Sequence, residues 1–165
     1  MKKNLVVLFA LLFVVSASYA QKKPASPRMT ADSDNVSVAY GQPSKNDREI
    51  FGKLVPYGQV WRAGANDGTE VTFKKDVDFG GAKVKAGTYT LFAIPGENEW
   101  SFILNSNLKQ WGSYGYDKIK KDDVATVKVK PTKTSSTVEA MTIAVSDKAL
   151  DLMWDDTKAS VPLKF

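Results

Sequence analysis

Beyond the N-terminus, apolar and polar residues alternate in short runs. Val36, Val38 and Tyr40 are interleaved with Ser37 and Ala39, which predicts a strand with one buried face, ended by Gly41-Gln42-Pro43. Residues 48–55 (REIFGKLV) predict a short helix that turns Ile50, Phe51 and Leu54 inward and closes at Pro56. A short strand is expected over 58–62. Val71 and Phe73 alternate with Thr72 and Lys74, and Val77 and Phe79 lead into Gly80-Gly81, a hairpin signal because glycine takes positive φ without a Cβ clash. Lys85-Ala86-Gly87 predicts a further turn before an apolar strand over 88–94, and Pro95-Gly96-Glu97-Asn98 turns the chain into a strand over 100–104. Residues 105–123 are polar and aromatic-rich and read as a long surface loop. Strands are then expected over 125–130, 138–145, 150–154 and 160–165.

About nine short strands, with turns roughly every 8–12 residues, predict an all-β fold: a single antiparallel β-sandwich or jelly-roll over residues 28–165. Trp100 and Trp154 lie in apolar strands and are expected in the core. A terminal Phe165 would also suit an outer-membrane barrel. Such a barrel needs strands of about ten residues, and Pro162 removes a ladder donor from the last strand, so a sandwich is the expected form.

The first residues follow another pattern. Lys2 and Lys3 precede an apolar run over 5–15, and Ser18, Tyr19 and Ala20 end it with small residues at the positions signal peptidase reads. Residues 1–20 are therefore expected to be a signal peptide, 21–27 (QKKPASP) a flexible lead-in, and the protein periplasmic or secreted, with no membrane span after cleavage. As a helix the apolar run would cover about 16 Å, against roughly 30 Å of hydrocarbon.

Composition narrows the chemistry. Without Lys2 and Lys3 the chain keeps 21 basic residues against 18 acidic, a mild and dispersed excess. Together with export, that speaks against nucleic acid as a partner. The chain has no cysteine and no histidine. That removes Ser-His-Asp and Cys-His catalysis, the usual zinc sites and haem ligation by histidine, and no cofactor is expected. Calcium would need five or more oxygens from one loop, and neither Asp32-Ser33-Asp34 nor Asp76-Val77-Asp78 provides such a loop.

Two segments could carry a site. In 57–66 (YGQVWRAGAN), Trp61 and Arg62 are adjacent and should face opposite sides of a strand. Arg62 and Asn66 flank a Gly64 turn and offer a forked donor and an amide to a carboxylate, a phosphate or sugar hydroxyls; Tyr57 lies just upstream. Alternatively Arg62 pairs with Glu70 or Asp67, and Asn66 supports the turn backbone. In 111–116, Trp111, Tyr114 and Tyr116 are interleaved with Gly112 and Gly115. Such rings stack on sugars or lock a loop onto the core. A glycosidase needs two carboxylates about 5–10 Å apart, and the spacing of Glu70, Asp76, Asp78, Glu97 and Glu99 singles out no pair.

The block IFGKLVPYGQVWRAGANDGTEVTF (50–73), with AGTYTLFAIP (86–95), EWSFILN (99–105), QWGSYGYD (110–117), an upstream SPR (26–28) and the late Trp154 and Val161-Pro162, resembles the bacterial family known as domain of unknown function 2911. The resemblance covers nearly all of the chain after residue 20. It implies exported β-rich proteins, some fused to helical repeats, with no established activity and no catalytic residues to carry over. The expected function is a non-enzymatic, ligand-binding β-sandwich of the cell envelope, for a glycan or a small polar ligand. The candidate residues are Tyr57, Trp61, Arg62, Asn66, Trp111, Tyr114 and Tyr116. A module that docks an envelope protein partner is the second expectation, and a carboxylate-dependent hydrolase the third.

Overall fold

The computed structural model describes residues 26–165; the predicted signal peptide and most of the lead-in lie outside the described residues. Ten strands form two antiparallel sheets. The first sheet holds β1 (Arg28–Asp32), β2 (Val36–Gly41), β3 (Thr69–Phe73), β6 (Gly87–Ile94), β7 (Trp100–Asn105) and β8 (Asp123–Val129), in the order β1-β2-β3-β6-β7-β8. The second holds β4 (Val77–Phe79), β5 (Ala82–Val84), β9 (Thr132–Ser146) and β10 (Ala149–Lys164), in the order β5-β4-β10-β9. The two sheets face each other as an open sandwich, not a closed barrel.

The alternation explains the packing. Val36, Val38 and Tyr40 of β2, Val71 and Phe73 of β3, and Trp100, Phe102 and Leu104 of β7 point into the space between the sheets. Met141 and Ile143 of β9 and the apolar positions of β10 meet them from the other side. Each apolar side chain buried in this way contributes roughly 1.5–3 kcal/mol. Both indoles expected in the core, Trp100 and Trp154, are 1% exposed. The outer face of β6 and β7 is covered too: Phe92 and Ile103 pack on Tyr116, with Val60, Ile94 and Ile119 around them. This second layer accounts for the unbroken buried run Leu91-Phe92-Ala93, in which successive side chains point to opposite faces.

Several expectations are corrected. Residues 48–55 form no helix; Gly52 takes φ +90°, outside the helical region, and the chain closes in turns with a Phe51–Val55 bridge. Ile50 is buried there, but Leu54 faces solvent. The helix lies instead in the segment read as loop: α1 (Tyr116–Ile119), continued by a 3-10 turn (Lys120–Asp122). Residues 58–62 form only a bridge, Trp61 to Ala93. The sequence pattern marks no strand over 28–32, yet β1 pairs along β2 from Arg28–Gly41 to Asp32–Ser37; it is a mostly exposed edge strand in which Ala31 packs against the core.

The strands expected over 150–154 and 160–165 are one strand, β10. Leu150, Leu152 and Trp154 are buried at even positions, Ala159, Val161 and Leu163 at odd ones. The phase changes where the β9–β10 register slips, between Met153 and Thr157, with Asp155 at φ +56°. A bulge of this kind bends a strand and resets which side chains face the core.

Candidate functional site

The segment between β2 and β3 is fixed by backbone contacts. Trp61 and Ala93 exchange two N–H···O bonds of 2.8 Å, and the Gly58 N–H reaches the Pro95 carbonyl at 2.8 Å. The Trp61 indole donates to the Gly64 carbonyl at 3.0 Å, and Thr69 Oγ1 donates to the Ala63 carbonyl at 2.9 Å. The end of β2 lies so close that a Cβ on Gly41 would fall 2.0 Å from the Ala65 carbonyl oxygen. The Trp-Arg-Ala-Gly-Ala-Asn turn is therefore clamped from both sides.

Within this turn, Trp61 and Arg62 take unlike environments. Trp61 is 8% exposed and stacks on Trp154, with centroids 6.0 Å apart and planes 18° from parallel. Arg62 is half-buried and lines a cleft together with Trp61 and Trp154. It pairs with neither acid that could have claimed it: Glu70 accepts from the Lys109 N–H at 3.1 Å, and Arg62 forms none of the ion pairs or side-chain hydrogen bonds found among the described residues. Its Nε is buried without a partner. Asn66, at φ +61°, is exposed and its amide reaches the Ser26 carbonyl at 3.4 Å.

The second candidate segment meets the first. Asp67 bridges Trp111, the Gly68 N–H donates to the Gln110 carbonyl at 2.7 Å, the Gly112 N–H donates to the Asn66 carbonyl at 3.1 Å, and Ser113 Oγ donates to the Val60 carbonyl at 2.9 Å. A Cβ on Gly112 would fall 2.8 Å from the Tyr114 ring and 3.7 Å from Arg62 Nη1. Arg62, Asn66, Trp111 and Tyr114 thus share one surface. Trp111 is 66% exposed and Tyr114 is 88% exposed, which leaves both rings open to stacking.

The other two candidate rings lie elsewhere. Tyr116 is buried against Phe92, and its hydroxyl donates to Asp123 Oδ2 at 2.6 Å. Burial first, and then that carboxylate, push the phenol well above its ordinary pKa. Buried Asn105 joins the same knot, donating to Asp123 Oδ1 and to the Ile119 carbonyl, so Tyr116 anchors the loop. Tyr57 opens onto a separate small cleft of about 120 Å³ beside Phe51, Trp100 and Lys133.

Next to Arg62 lies a cleft of about 310 Å³ walled by Arg48, Leu54, Trp61, Arg62, Asn66 and Trp154. Nothing in the sequence marks Arg48 as part of it, because the turn over 50–55 that brings Arg48 there reads as helix. No carboxylate and no lysine lines this cleft among the described residues. Another cavity, of about 460 Å³, lies at the β4–β5 hairpin and is lined in part by Asp76 and Asp78. Lys85 and Lys83 respectively hold these carboxylates below their ordinary pKa, the reverse of what a general acid requires.

A family model described as a protein of unknown function, DUF2911, matches residues 23–163. No curated protein and no solved structure matches the chain. The matched span takes in both segments of the candidate surface and every strand except the last residue of β10, and the chain belongs to the DUF2911 family.

Proposed function

We propose that this protein is an exported, non-enzymatic binding domain that takes a glycan on the surface formed by Trp111, Tyr114, Arg62 and Asn66. The reading rests on one observation above all: two large rings stand open to solvent on a glycine-containing segment hydrogen-bonded to the clamped turn, beside a guanidinium that has no partner among the described residues. Burying an aromatic side chain normally contributes more to a fold than leaving it in water, so open rings on such a segment favour a ligand that covers them. Sugars do so through their C–H faces, while amide and guanidinium donors orient their hydroxyls. Export is supported by the N-terminal sequence pattern.

The test is a titration of the protein with a panel of envelope glycan fragments, followed by Trp side-chain NMR signals. Binding should move the Trp111 indole signal and leave the buried Trp100 signal, which lies away from the Arg62 cleft, in place. Trp111→Ala and Tyr114→Ala should each weaken binding by about fivefold or more, at the scale of one aromatic contact, with thermal stability within a degree or two of the parent. If no fragment moves Trp111, or if both variants bind like the parent, the reading fails.

A further inference from the structure

We infer that the glycan is acidic, and that its carboxylate is held by Arg62 and Arg48 while its sugar faces lie on Trp111 and Tyr114. This rests on the binding surface proposed above and names its ligand class. The first argument is the distribution of cations. The chain has three arginines, at 28, 48 and 62, and among the described residues all six ion pairs use lysine instead. Arg28 donates to the Gly68 carbonyl, and Arg48 to the carbonyls of Ser44 and Lys45. Arg62 donates to nothing among the described residues and has its Nε buried. The side chains best shaped to take a carboxylate in a bidentate fork are the ones left without a carboxylate.

The second argument is the wall of the cleft. Arg48 and Arg62 bring two positive charges to it, backed by Leu54, Trp61 and Trp154, with no acidic side chain to offset them. Arg48 is exposed, but Arg62 is half-buried, and a charge drawn partly out of water against an apolar wall is unfavourable unless it is paired, so the cleft is set up to gain from an anion. A Cβ placed on Gly112 would fall 2.8 Å from the Tyr114 ring and 3.7 Å from Arg62 Nη1, so ring and guanidinium both flank this glycine. One ligand can therefore touch cation and ring together only if its charge and its flat apolar face are neighbours. A uronic acid residue, with the carboxyl directly on the sugar ring, has that geometry.

The experiment uses tri-galacturonate, its carboxyl-reduced counterpart galactotriose, and inorganic phosphate, each titrated into isotope-labelled protein while the Arg62 Nε–Hε and Trp111 indole signals are followed. Tri-galacturonate should move both signals. Galactotriose should bind about ten- to a hundredfold more weakly and leave Arg62 in place. Arg62→Gln should remove that preference while its unchanged spectrum elsewhere reports an intact fold, and Arg48→Gln should reduce it. Equal affinity for the two trisaccharides overturns the acidic ligand but leaves the glycan reading standing. Phosphate moving Arg62 as strongly as tri-galacturonate, without Trp111, overturns it in favour of a phosphate site. If neither trisaccharide nor any other glycan moves Trp111, it is the binding surface itself that fails.

Discussion

Two residues show how narrowly the fold is set at the scale of single atoms. A methyl group at position 41 would collide with the carbonyl of Ala65, a residue whose own N–H is tied to the Gly41 carbonyl by a 3.1 Å hydrogen bond. Gly41→Ala should cost about 3 kcal/mol, at the upper end for overpacking, and lower the urea midpoint accordingly. Asp147, in the turn between β9 and β10, accepts from Ser33 Oγ at 2.9 Å and from Asn35 Nδ2 at 2.6 Å and the Asn35 N–H at 3.1 Å. It ties the β1–β2 turn of one sheet to the β9–β10 turn of the other. Those hydrogen bonds, Ser33 foremost, hold its carboxyl below the ordinary value of 3.8. A depressed folded-state pKa stabilises at neutral pH, where the carboxylate is ionised in both states, and that contribution is lost as pH falls below the unfolded value and through the folded one. Urea unfolding followed from pH 7 to about pH 2 should therefore show a smaller acid loss in Asp147→Asn than in the parent.

At the scale of elements, the sequence is most legible where one face is buried and least where the chain changes phase. β2 and β3 could be read from alternation because each keeps its buried apolar residues on one side. β10 could not be read as one strand, since the even run ending at Trp154 and the odd run starting at Ala159 look like two elements until the bulge joins them. The 48–55 segment misleads for the opposite reason: Ile50, Phe51 and Leu54 have helical spacing, and a single left-handed Gly52 cancels it. Residues 105–123 carry hardly any alternation because side-chain hydrogen bonds organise them. Tyr116 and Asn105 converge on Asp123, and Asn107 Nδ2 donates to Asp122 Oδ2 at 2.6 Å. Tyr116→Phe should leave Asp123 short of a donor and cost about 1–3 kcal/mol. Hydrogen exchange should then quicken over 105–123, while amides of β3 and β6 keep their protection; uniform quickening would show that the segment is no separate unit.

For the whole molecule, a fold with no cysteine relies on its two-sheet core, on a second small apolar layer over β6 and β7, and on turn-to-turn ties such as Asp147. The architecture was legible from periodicity because burial between sheets leaves a period of two in the sequence. The convergence of 57–66 with 110–116 was not, because it depends on backbone pairing between segments over forty residues apart. Neither was Arg48 in the cleft wall. The division of labour among the cations also has a practical consequence. Because lysines carry the ion pairs and none lines the Arg62 cleft, amine-directed coupling to a solid support would leave that cleft chemically untouched. A column made this way presents the arginine surface to an envelope extract, and phenylglyoxal, which modifies arginine and spares most lysine, becomes the matched control for whatever the column retains.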